Sequence, residues 1–383
     1  MGISKNQSKS EPIVLNRHGK SSDSFAGPLS EILPVPELVK NFPTTRYYGS
    51  KRKLLNWLYR HLGPLPFDNV LDAFGGTASV SLLFKAMRKD VTYHDGFSFN
   101  EDVARTLLSD KVLLEREDVE RFCRNVKLTE GVVFRNFDGV FYLKDENAWI
   151  DGFLISLKNG DFSEREKALL RFLLYQSCLK KRPFNLFHRA NLNLRVNSDI
   201  DRSFGNAVTW SKSFTTHILT AFDELSKLCP QAQGKASILP SGDVSKIKKD
   251  YDLIYLDPPY ISKNAARNRD GYWKRYHFLE GLSKYETWEA NMDLASPIKS
   301  LHQPTWFKEW SHKETFPEKL FELIRECRSS ITVLSYVTDA HPTFEQIKDV
   351  FINNFREVSI HTVDHHHALS KKKRRELLFI GRP

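Results

Sequence analysis

The sequence predicts an α/β domain organised on a largely parallel sheet and split by a long insertion, and three observations predict it. Residues 251–260 read YDLIYLDPPY, an apolar run too short and too rich in β-formers for a buried helix. Its two prolines stop the strand, because neither carries a backbone N–H, and fix the turn at the strand's carboxyl end, where open α/β sheets bind ligands. Residues 69–80 read as a short strand, a tight glycine turn and the start of a helix. Between about 105 and 235 the texture changes, to helical periodicity with basic and aromatic connections.

With 383 residues and 40% hydrophobic composition the chain can hold one large domain with an insertion, or two domains. The 57 Lys and Arg against 47 Asp and Glu give a net charge of +10, which suits a polyanionic partner without identifying one. Cys123, Cys178, Cys229 and Cys327 are scattered, with no C-x-x-C spacing, so they read as reduced thiols rather than a disulfide framework or zinc site. No apolar run is long enough for a membrane helix and no hydrophobic leader opens the chain, so the expectation is a soluble, cytoplasmic protein.

In order, residues 1–40 are rich in Ser, Lys, Asn and Pro and read as a disordered lead-in. A basic aromatic turn, Arg46-Tyr47-Tyr48-Gly49-Ser50-Lys51, then opens a helix with Leu54, Leu55, Leu58 and Leu62 at helical spacing. Strand 69–72 ends in Asp72 and runs into Ala73-Phe74-Gly75-Gly76-Thr77-Ala78, where small residues let a ligand approach the backbone. A second strand at 91–93 leads to Asp95, 23 residues after Asp72, the spacing at which a βαβ unit puts a carboxylate on a ribose.

In the insertion, 164–180 reads as a helix with Ser163 and Glu166 as a capping box. The segment 179–202 follows, with six Lys or Arg against two Asp, interleaved with Phe, Asn and His. Its arginines and asparagines, Arg182, Arg189, Asn191 and Arg195 among them, suit phosphates and base edges, and a solvated basic loop is the plainer alternative. A short strand at 236–239 precedes Asp243, 14 residues before Asp257. Residues 261–277 carry five Lys or Arg, including Lys274 and Arg275, against one Asp and read as a mobile loop beside the site, or as an ordinary disordered one. Residues 316–328 are helical, 330–336 a strand, and 358–363 with 376–381 an antiparallel hairpin at the sheet's edge. The histidines at 365–367 point alternately along an extended chain, so no metal site is expected.

Asp257-Pro258-Pro259-Tyr260 carries the chemistry. An exocyclic amine on an aromatic ring is a poor nucleophile, and a carboxylate at Asp257 with the carbonyl of Pro258 could accept its two protons and aim its lone pair. The fixed φ of proline helps hold that carbonyl, Pro259 continues the turn, and Tyr260 could stack on an extruded base. A methyl sulfonium brings its own leaving group, so catalysis could rest on positioning and electrostatics alone.

The ordered set of Arg46 to Lys51, Leu71 to Ala78, Asp95, Gly242-Asp243 and Asp257 to Tyr260 resembles the Dam-like, alpha-class adenine-N6 DNA methyltransferases, which use S-adenosylmethionine. The resemblance covers roughly 44–102 and 236–383. It implies a Rossmann-like fold with a mixed seven-stranded sheet, a catalytic domain of residues 41–104 and 236–383, and a mainly helical and hairpin DNA-recognition domain at 105–235. It also implies that Tyr47 and Lys51 help hold the cofactor, that the turn Phe74, Gly75, Gly76, Thr77 and Ala78 wraps it near Asp72, that Asp95 bonds its ribose and that Asp243 meets its adenine. Duplex DNA is the implied substrate, methylated after base flipping, in a restriction-modification setting with a cognate endonuclease on the same site. This chain departs from the family pattern at Ala78, where a glycine is usual, and after Asn185, where a glycine is expected before Arg189 and Asn191.

Cytosine-N4 methylation follows the same logic, although cytosine enzymes more often carry serine where Asp257 stands. RNA or a protein glutamine suits the large basic insertion less well. A non-catalytic DNA-binding module is a rival of another class, and intact Asp72, Asp95, Asp257 and Tyr260 argue against it.

Overall fold

The computed structural model describes residues 13–16, 42, 50–182, 186–197, 207–228, 234–262, 271–366 and 373–383. Its strands are β1 (Ile13–Asn16), β2 (Asn69–Asp72), β3 (Asp90–Tyr93), β4 (Ala236–Ile238), β5 (Leu253–Leu256), β6 (Ile261–Ser262), β7 (Ile331–Val337), β8 (Ala340–His341), β9 (Glu357–His366) and β10 (Lys373–Arg382). Eight of them form one sheet in the order β1-β9-β10-β7-β5-β2-β3-β4, and β6 pairs with β8 in a separate ribbon. From β4 to β7 the neighbours are parallel, whereas β10 runs antiparallel to both β7 and β9. The mixed seven-stranded sheet is present, and β1 adds a short eighth strand at the edge.

Burial follows the period of two. Along β5, Ile254 and Leu256 join Leu71, Leu334 and Tyr336 on one face, under Phe316, Leu320 and Ile347. Leu253 and Tyr255 join Val70 and Val333 on the other, under Leu55, Leu58, Leu83 and Phe84. A strand covered on both faces is apolar throughout, and all four residues of β5 are buried. Parallel pairing then brings the carboxyl ends of β2, β3 and β5 to the same side of the sheet.

The insertion shares a core with this domain. Helix Glu164–Lys180 lies against helix Ser98–Leu107, and Phe99, Val103, Tyr175 and Leu179 belong to one buried cluster with Phe278 and Leu282. Arg171 donates two hydrogen bonds to Asp102, of 2.7 and 2.8 Å, and Tyr175 Oη donates a third of 2.7 Å, so the buried carboxylate is satisfied across the junction.

Two expectations change. Ile13–Asn16, inside the segment expected to be disordered, pairs antiparallel with β9, Ile13 opposite Ile360, where an edge strand offers unpaired backbone. The loop expected over 261–277 contains β6 and the start of helix Tyr272–Ser283, because Trp273, Tyr276, Leu279 and Leu282 recur on a buried face; residues 263–270 lie outside the described residues. Within 186–197 the only regular element is helix Asn193–Val196, and the expected recognition hairpin falls partly on 183–185 and 198–206, outside the described residues. No described helix is long and apolar enough to cross a membrane.

Candidate active site

Ser50 Oγ accepts from the backbone N–H of Arg52 and lies 3.3 Å from Thr77 Oγ1, which starts the short helix Lys51–Leu54 beside the glycine turn. Lys51 is thereby buried, with its Nζ 2.6 Å from Tyr260 Oη, 3.0 Å from Asp257 Oδ1 and 3.6 Å from Glu376 Oε2. Tyr260 Oη in turn donates to Asp257 Oδ1 at 2.8 Å. Burial alone would lower the Lys51 pKa, but Asp257 and Glu376 outweigh it and leave it raised. Burial also pushes the Asp257 and Glu376 carboxyls up, with Lys51 pulling both back. One cation thus faces two carboxylates, and Asp257 Oδ2 has no partner among the described residues.

The strand-end acids differ in how far they are satisfied. Asp95 accepts from the backbone N–H groups of Gly76 and Phe97 and from Asn100 Nδ2, at 2.8–3.0 Å, while burial still raises its pKa. Asp72 Oδ2 accepts from Ser81 Oγ at 2.6 Å, but its Oδ1 is buried without a partner, and burial pushes this carboxyl up to about 7. Asp243 is engaged by the Ser245 N–H and by Trp310 Nε1 at 3.0 Å.

A cavity of about 530 Å³ joins these groups. Its walls include Lys51, Asp72, Phe74, Gly75, Gly76, Thr77, Asp95 and the turn Asp257, Pro258, Pro259 and Tyr260, all of them residues that the sequence pattern singles out. Gly75 is required by its neighbour: a Cβ there would stand 2.1 Å from the Tyr93 ring, whose hydroxyl donates to Gly76 O. Ala78 caps the next helix at φ 56°, a left-handed conformation that glycine adopts without strain, so the departure from the family pattern falls where it costs most.

Not every expected site residue lines the cavity. Tyr47 lies outside the described residues. Gly242 and Val244 line the cavity, and Asp243 between them accepts from Trp310 Nε1. Tyr260 reaches the cavity, but its hydroxyl is tied into the Lys51 network and its ring meets Tyr336 edge-on at 5.5 Å. Of the six nucleic-acid candidates, Arg189 and Arg275 line the cavity and Lys274 is exposed. Arg182 is buried over the Phe141 and Phe187 rings and donates to the carbonyls of Leu186 and Arg189 and to Asn191 Oδ1, which occupies Asn191 as well. Arg195 is held bidentately by Glu146. Intrachain groups thus engage all three side chains, although Arg182 Nη1 is buried without a partner among the described residues.

Two features go unread in the sequence. Glu376 stands between the basic start and the apolar run of β10, and a lone acid directly before four apolar residues is the available hint. Helix Thr305–Ser311 contributes Trp306, Phe307 and Trp310 to the cavity, with Trp310 edge-on to Phe74 at 5.5 Å. Three aromatics within five residues are its signal.

A sheet of this topology, with acids at parallel strand ends around one cavity, is the architecture of a Rossmann-like methyltransferase. A family model described as D12 class N6 adenine-specific DNA methyltransferase matches residues 47–319, and the chain belongs to that family. It is an adenine-specific DNA methyltransferase. No curated protein matches the chain.

Proposed function

We propose that an adenine extruded from duplex DNA enters this cavity, where Asp257 and the carbonyl of Pro258 accept hydrogen bonds from its N6 amino group. The observation that carries the reading is Asp257 itself: one oxygen is committed to Lys51 and Tyr260, and the other stands without a partner on the cavity wall. Bonding to two acceptors draws the amine lone pair out of conjugation. Lys51 favours the ionised carboxylate, and burial keeps it basic enough to take the proton that N6 loses on methylation.

The cofactor we infer is S-adenosylmethionine, and the donor set fits it. The orphaned buried oxygen of Asp72 suits an ammonium, Asp95 keeps lone-pair capacity for hydroxyls, and the glycine turn with Phe74 and Trp310 offers backbone and aromatic walls. When bound, it supplies a methyl group on a sulfonium that is its own leaving group. The chain's residues then need only bind, orient and exclude water.

We assign the insertion, residues 105–235, to target recognition, with Arg189 from it and Lys274 and Arg275 from helix Tyr272–Ser283 nearest the DNA backbone. The test is Asp257→Ala in a methyl-incorporation assay on duplex DNA, with cofactor affinity measured by calorimetry. Transfer falls by at least about 10²–10³-fold while cofactor binding persists. Activity like that of the unaltered protein overturns the assignment. Methylation-sensitive sequencing of DNA from expressing cells reports the target context.

A further inference from the structure

Glu376 belongs to β10, beyond the residues that the family model matches, yet it reaches the catalytic turn. The topology explains how. β10 is inserted between β7 and β9, with Glu376 opposite Val337, the last residue of β7, so the antiparallel strand delivers a side chain to the carboxyl end of its parallel neighbours. There Glu376 is 1% exposed, 3.6 Å from Lys51 Nζ and 3.4 Å from Tyr260 Oη. A buried carboxylate is costly unless charges and hydrogen bonds compensate it, and its compensation here includes the Tyr260 hydroxyl and the lysine that also serves Asp257.

We propose that Glu376 is a positioning residue for methyl transfer, acting through Lys51. Sharing the ammonium between two carboxylates holds it at Tyr260 and Asp257 Oδ1. It also keeps Lys51 from neutralising Asp257 fully, so that Asp257 Oδ2 remains a strong acceptor for the amine. Among the described residues, the titratable groups that face Glu376 are Lys51 from the helix before the glycine turn, Tyr255 from β5, and Asp257 and Tyr260 from the turn after it. The inference rests on Asp257 being the amine acceptor.

The experiment is a double-mutant cycle on the full-length enzyme with Glu376→Gln and Lys51→Met, reading kcat, KM for DNA and cofactor, the pH profile and the melting temperature, with Asp257→Ala alongside. Glu376→Gln is expected to lower kcat by about 10- to 100-fold with KM for both substrates within about 3-fold. Removing a negative charge beside Asp257 lowers its pKa, so the acid limb of kcat, followed from about pH 5.5 to 9, moves to lower pH. In the Lys51→Met background the same substitution costs less than about 2-fold, since the partner is already gone. Glu376→Asp, which keeps the charge with shorter reach, takes the same cycle if the glutamine variant does not fold. An unchanged kcat and acid limb overturns the proposal, as does an equal loss with or without Lys51. Those results beside an inactive Asp257→Ala remove only the role of Glu376, whereas an active Asp257→Ala removes the reading beneath it.

Discussion

Asp72 ends β2 with one oxygen bonded to Ser81 and the other without a partner among the described residues, in a place with 1% exposure. Burial moves its pKa up to about 7, above the roughly 3.9 of an unfolded chain. Between those values the native state binds the extra proton, so stability falls as pH rises from about 4 to about 7, and the full penalty stands above that. Asp72→Asn is therefore expected to raise the melting temperature at about pH 8, a gain of about 1–3 kcal/mol, and to leave it nearly unchanged at about pH 4. The same change is expected to weaken S-adenosylmethionine binding by about 10-fold or more in calorimetry, because the ammonium loses its charged partner. Equal melting shifts at both pH values would contradict the assigned ionisation. Asp72, Asp95 and Asp257 are legible in the sequence because each follows a short β-forming run within a few residues, and local pattern is enough to place a strand end. Glu376 is not, because its burial depends on which strands β10 pairs with. Nor does composition say whether an arginine is held by an internal acceptor or lines a cavity, which is why Arg182 and Arg195 read like Arg189.

Helix Tyr272–Ser283 shows how one element serves two demands. Trp273, Tyr276, Phe278 and Leu279 hold it in the shared core, and Trp273 stacks on Phe97 at 5.1 Å, while Lys274 is exposed and Arg275 lines the cavity. Reversing charge at Lys274 and Arg275 is expected to weaken DNA binding across sequences and to lower the slope of log K against log salt by about 1 for each phosphate that is no longer neutralised. Arg195→Ala is expected to leave that slope unchanged and to destabilise the fold by about 1–3 kcal/mol, since it strips a charged partner from Glu146. Binding isotherms at several salt concentrations, with melting curves, separate the two outcomes. In sequence the helix reads as a loop because its exposed face carries the basic residues and the preceding residues supply glycine and further charge. Its buried aromatics nevertheless carry the helical period.

At the scale of the molecule, the insertion is joined to the catalytic sheet by a continuous apolar cluster and by the Asp102, Arg171 and Tyr175 network rather than by a tether. A shared core of this kind melts together, so calorimetry is expected to give one cooperative transition for the full chain, with the calorimetric and van't Hoff enthalpies agreeing. Two resolved transitions would mean that the insertion folds by itself. The parallel part of the sheet can be anticipated from sequence because βαβ units are local. The order of its other half cannot, since β10 must enter between two strands already made. That placement has a consequence for biosynthesis. Until residues near 380 have left the ribosome, β7 is a raw edge and β9 lacks its inner neighbour. The second carboxylate of the Lys51 network, Glu376, is thus supplied by one of the last strands to be made.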